Sequence, residues 1–170
     1  MRAALNALYE TAAWIAAAMM VGVLVMVLVG IFGRQLDFYV AGTDAYAGYL
    51  MAGTGFMALA HTFKRGEHIR VTLLLQSVGG RSRRALEIWS LVVATLLSGV
   101  LAFYSVRLAW QSHLFHDIST SNDATPLWIP QLGMALGAVI LLVALLDELF
   151  LELSGRRDAS ATVAEAAHVE

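Results

Sequence analysis

Four stretches without a charged side chain constrain the fold of this 170-residue sequence more than any other feature. Between Glu10 and Arg34 lie 23 such residues, between Asp44 and Lys64 another 19, between Glu87 and Arg107 another 19, and between Asp123 and Asp147 another 23. At about 1.5 Å of rise per residue, even 19 residues of helix reach roughly 29 Å, close to the hydrocarbon thickness of a bilayer. Lipid offers no partner to a backbone N–H or C=O, so each stretch is expected to be helical. A soluble four-helix bundle would need a polar face on every helix, whereas the run from Ala16 to Ile31 is apolar all round. Composition agrees: 59% of residues are hydrophobic and 14% charged, against about a quarter charged in soluble domains. The expected fold is an all-α membrane protein with four transmembrane helices.

The spans are expected at about 12–33, 45–63, 88–106 and 126–146, within a transmembrane domain covering 1–153. The apolar core of the first is too long for a signal peptide, and no small-residue cleavage pattern follows it, so it is read as retained. Lys and Arg distribute unevenly: Arg2, six residues between the second and third spans, and Arg156 and Arg157 fall on one side, Arg34 and Arg107 on the other. Basic flanks stay in the cytoplasm during insertion, so both termini are expected there. The loops 34–44 and 107–123 then face outward. The expected location is the bacterial inner (cytoplasmic) membrane, as a multi-pass protein. The residues after 154 have little to bury and are expected to form a mobile cytoplasmic tail.

Between the second and third spans, Val71, Leu74, Leu75 and Val78 follow helical spacing, with Arg70, Ser77, Arg81 and Arg84 forming a rough opposite stripe. An amphipathic interfacial helix is expected over about 67–79, ended by Gly79-Gly80. Lys64, Arg65, Arg70, Arg81, Arg83 and Arg84 would meet lipid phosphates. Trp14, Trp89, Trp110 and Trp128 all fall near proposed span ends, where indole favours the headgroup layer. Gly133 and Gly137 form a G-x-x-x-G pair, and Gly48 and Ala52 belong to a second small-residue cluster; both suit close helix packing. In the last outer loop, His113 and His116 keep helical spacing, so the third helix is expected to run on into it. Thr125-Pro126 and Ile129-Pro130 restrict the start of the fourth, with regular helix settling at Pro130.

Little points to chemistry. No span carries Asp, Glu, Lys or Arg in its interior, which argues against a proton relay or a small proton-coupled pump. A haem between two histidines needs both at one membrane depth, yet His61 lies at the inner end of the second span and His113 and His116 beyond the outer end of the third. The pair His113-x-x-His116 has metal-like spacing, but two ligands make a poor site. With no cysteine, disulfides and thiolate sites are excluded. Net charge is −2, which gives no reason to expect nucleic-acid binding. No enzyme, cofactor or metal is expected.

The four spans, Arg34 after the first, KRGEHIRV after the second and TPLWIPQLGMALG opening the fourth form a pattern. It resembles the small integral membrane subunit (DctQ-type) of tripartite ATP-independent periplasmic (TRAP) transporters, over roughly residues 8–153. In that family a stretch like R-x-G-x-H-I-x-V-D follows the second helix, and Arg65, Gly66, His68, Ile69 and Val71 occupy it here. The order differs slightly, and Thr72 stands where Asp is frequent. The resemblance implies a non-catalytic scaffold that associates with a large permease (M) subunit. That larger subunit would hold the substrate and sodium sites and move them by an elevator motion. A periplasmic substrate-binding protein would deliver an organic acid. Asp37, Asp44, Asp117 and Asp123 would then offer docking charges, although each alone also fits an ordinary solvated loop carboxylate. Two other classes compete: a four-helix membrane anchor of a redox enzyme, revealed by a haem band, and a self-sufficient homodimeric transporter, revealed by uptake in liposomes.

Overall fold

The computed structural model describes residues 2–38, 40–64, 80–121 and 123–154, with backbone alone at 2–4 and 80–83. Four helices carry nearly all of them: α1 (Arg2–Gln35), α2 (Thr43–Lys64), α3 (Gly80–Leu114) and α4 (Trp128–Leu153). The expected interfacial segment and tail lie outside the described residues, apart from Ser154, as do Arg65, Gly66, His68, Ile69, Arg70 and Val71. Three helices, α1, α3 and α4, are long and apolar enough to cross a membrane, and the chain is a multi-pass membrane protein. Helices α1 and α3 have 34 and 35 residues, about 51 Å each and well beyond a bilayer's hydrocarbon. The helices therefore run past the charged residues expected to bound the spans. Arg107, expected to open a loop, sits within α3, and Gly80, expected to close an interfacial helix, opens α3.

Both α1 and α3 stop in the same way. Phe38 N–H donates to Gly33 O at 3.0 Å, and Asp117 N–H donates to Ser112 O at 3.0 Å. Asp37 and His116, at φ 52° and 55°, occupy the left-handed position between. This is the Schellman arrangement, which satisfies carbonyls that the last turn leaves open. It corrects the expectation that His113 and His116 share one helical face: α3 ends at Leu114, and the backbone reverses at His116. α4 starts at Trp128, two residues before Pro130, which falls in the first turn.

The helices lie side by side in the order α1, α2, α4, α3. α2 is antiparallel to α1, with Gly53 against Met19 and Thr43 against Gly30. It runs parallel to α4, with Gly53 facing Gly133 and Phe56 facing Gly137. α3 is antiparallel to α4, with Gly99 opposite Leu142 and the His113 ring 5.2 Å from that of Trp128. The start of α1 and the end of α4 consequently lie at the same end of the array.

The seams are built from small side chains. Ala12, Ala16, Ala60, Ala102, Ala109, Ala135, Ala138 and Ala144 are buried, while Leu24, Phe32, Met51, Leu96, Leu97, Phe103 and Phe150 face outward. On α3, Leu91, Ser98, Ala102, Ser105, Ala109 and Ser112 are buried at intervals of seven, four, three, four and three. That is a coiled-coil seam in which small residues stand where a soluble protein would place leucine. Lipid removes the gain from hiding large apolar groups, so helix contact depends on close approach instead.

Candidate functional site

The structure presents two polar ends and an apolar middle. At the end holding both loops, residues 117–119 pair antiparallel with 125–127 as a narrow hairpin: Ser119 N–H donates to Thr125 O at 2.9 Å, and Leu127 N–H to Asp117 O at 3.0 Å. Tyrosines of α2 tie this hairpin down. The Tyr49 hydroxyl donates to Ser119 Oγ at 2.8 Å, Ser119 Oγ donates to Asp123 Oδ1 at 2.9 Å, and the Thr125 hydroxyl donates to Tyr46 Oη at 3.1 Å. Burial works against the charge on Asp123, but the hydroxyls of Thr125 and Ser119, its own backbone N–H and Tyr49 outweigh it. The carboxyl is held below the ordinary carboxylate value. Asp123 also packs on Gly42: a Cβ there would fall 2.6 Å from Asp123 Cβ.

The four expected docking carboxylates thus divide. Asp123 is turned inward and holds the hairpin. Asp44 lies 3.7 Å from Arg34, across an open cavity of about 530 Å³ that Asp37, Phe38, Gly42 and Ser121 also line. Asp37 and Asp117 are exposed. Arg34, set apart in the sequence by its family position, is a wall of this cavity.

At the opposite end the four helices are tied by polar contacts. Lys64 Nζ lies 2.6 Å from Asp147 Oδ2, with both side chains less than a third exposed. The same ammonium sits 5.6 Å from the centre of the Tyr9 ring, and Arg84 Nη2 donates to Glu152 O at 3.4 Å. Sequence reasoning used Asp147 only as a span boundary and missed its pairing. The available signal was that Lys64 and Asp147 close the uncharged runs of two helices at one membrane level.

Other expected residues fall as follows. Trp14, Trp89 and Trp110 are 73%, 67% and 70% exposed, pointing away from the seams, while Trp128 is half-buried against His113. Gly133 and Gly137 of α4 pack against α2: a Cβ on Gly137 would come within 2.5 Å of the Phe56 carbonyl. Gly48 has open space in front of it and, with Ala52 and Gly55, lines an apolar hollow on the outer face of α2. The two small-residue clusters therefore differ, one closed by a neighbouring helix and one open. The side chains of Arg81 and Arg83 lie outside the described residues. Among those described, no three His, Asp or Glu side chains gather as a metal site.

Charged side chains of the described helices keep to their end regions: Glu10 and Arg34, Asp44 and Lys64, Arg84, Glu87 and Arg107, then Asp147, Glu148 and Glu152. No curated protein matched the chain. The family described as "Tripartite ATP-independent periplasmic transporters, DctQ component" matches residues 23–155, covering α2, α3, α4 and the C-terminal part of α1. A helical array whose charges keep to its end regions and a match over most of its length lead to one conclusion: the chain belongs to the DctQ component family of TRAP transporters, as a transporter component and not an enzyme.

Proposed function

We propose that this chain is the scaffold subunit of a sodium-driven, binding-protein-dependent importer of an organic acid, working beside a large permease (M) subunit in a bacterial inner membrane. The observation that carries the reading is the family match combined with a charge-free middle: coupling chemistry belongs to another chain, and this one supplies a frame. In this reading all four helices cross the bilayer. α2, although less apolar, is about 33 Å long and lies in register between α1 and α4, which supports its crossing with them. Both termini are cytoplasmic, on the side that collects most of the Lys and Arg. Outward-facing Trp14, Trp89 and Trp110 and the basic middle segment grip the lipid interface and steady the frame against a moving partner. At the other end, Asp37 and Asp117 are the carboxylates free to steer a binding protein. The open hollow on α2 around Gly48 and Ala52 suits close approach by another apolar surface.

The test is reconstitution. The chain is expected to co-purify with a much larger membrane permease subunit. Sodium-driven uptake should require both chains and the binding protein. Solute uptake by this chain alone in liposomes would overturn the scaffold reading.

A further inference from the structure

The helix least suited to lipid occupies a central place in the array. Leu5–Gln35, Arg84–Leu114 and Trp128–Leu153 are each apolar enough to cross a bilayer; α2 is not among them. Where the others carry large aliphatics, α2 carries Gly48, Gly53, Gly55, Thr54, His61 and Thr62. Such a segment gains little from lipid on its own account. Neighbours supply what hydropathy does not. Thr54 and Thr62 donate back to Leu50 O and Ala58 O at 2.8 and 2.7 Å, so these hydroxyls cost the membrane little. Gly53 and Phe56 receive Gly133 and Gly137 of α4 at backbone distance. Ala60 and Ala144 are both fully buried, letting the helices stay close enough for Lys64 to meet Asp147 at 2.6 Å.

The two members of that pair are not equivalent. A lysine at the edge of the hydrocarbon can extend its four-carbon stem toward water. Aspartate has one methylene and no such reach, and Lys64 is itself held beside the Tyr9 ring with its side chain less than a third exposed, so removing Asp147 leaves a half-buried, unpaired ammonium on α2. α4 also follows α2 in the chain by the whole of α3, so the partner arrives last.

We propose that α2 is a dependent span: α4 holds it across the bilayer, through the Lys64–Asp147 ion pair and the close approach at Gly137, and without those contacts α2 does not stay inserted. The proposal rests on the four-span reading, and its test separates the two. Because the chain contains no cysteine, a single cysteine reports its own side of the membrane. Ala41→Cys lies between α1 and α2, and Leu86→Cys lies near the start of α3. A membrane-impermeant maleimide applied from outside is expected to label the first in the full-length chain and leave the second unlabelled. In the Leu86→Cys background, Asp147→Ala and, separately, Gly137→Leu are expected to raise outside labelling at least fivefold. The double variant Lys64→Met with Asp147→Leu replaces the pair by apolar groups of similar volume and should return labelling to near the starting level. Gly99→Ala adds a methyl that meets only Leu142, at 3.8 Å, and should change nothing.

Unchanged labelling in both Asp147→Ala and Gly137→Leu would overturn the dependence while leaving four spans in place. A double variant labelled as strongly as Asp147→Ala would remove the ion pair from the argument. A rise in Gly99→Ala would mean general unfolding and would also defeat the proposal. Labelling of Ala41→Cys and Leu86→Cys from the same side in the otherwise unaltered chain would instead defeat the four-span reading.

Discussion

Asp123 illustrates how a carboxylate that looks like a surface charge becomes structural. Its Oδ1 accepts from Ser119, which in turn accepts from Tyr49 of α2, and its Cβ rests on Gly42. Gly42 has φ +80°, where a side chain costs roughly 1–2 kcal/mol even without a clash. Gly42→Ala is therefore expected to destabilise the chain by about 2 kcal/mol, seen as a lower Tm in detergent. Acid should act on the same contact. A carboxyl held below its ordinary value of 3.8 adds stability that is complete above that value and is lost as pH falls through the lower folded one. Proteolysis of the 115–127 loop should then stay constant from neutral pH down to about 4 and rise below it. Asp123→Asn should flatten that rise.

For the elements, the seam between α3 and α4 shows what lipid asks of a helix contact. Ser98 is 5% exposed, and its hydroxyl has no hydrogen-bond partner among the described residues. A buried polar group without a partner costs about 1–3 kcal/mol, so Ser98→Ala is expected to raise stability by about 1 kcal/mol. Ser98→Leu adds volume to a seam built on small residues and should lower stability by roughly 1–3 kcal/mol. Thermal unfolding in a single detergent compares the two, and a gain from the leucine variant would contradict the close-approach account. The outer faces should tolerate the reverse: Leu96 and Phe103 are exposed and pack on no neighbouring helix of this chain, so exchanging one large apolar group for another there is expected to change the stability of the chain little.

Across the whole molecule, the side-by-side array leaves long apolar faces open on α1 and α3 and gathers polar groups at its two ends. Under the proposed function, reversing Asp37 and Asp117 to lysine should slow binding-protein-dependent uptake several-fold at low ionic strength, with less effect at high salt, where charges beyond about 10 Å are screened. Reversing Asp123 would confuse the result, because the hairpin itself would change. Uptake rates of the Asp37/Asp117 variant that match the parent at every salt concentration would remove those residues from the docking surface.

Much of this was legible in the sequence because lipid imposes a blunt rule. A run of about twenty uncharged residues must satisfy its backbone internally, so the helical class and the family motifs could be read without coordinates. Helix ends could not, since Asp37 and His116 adopt a left-handed backbone that favours glycine and carry no local mark of doing so. Nor could the partners of Asp147 and Asp123. Those contacts join residues 83 apart in one case and the loop before α4 to α2 in the other. Hydropathy along a chain reports what solvent each segment prefers, whereas pairing across helices depends on rotation and register, which only the folded array decides.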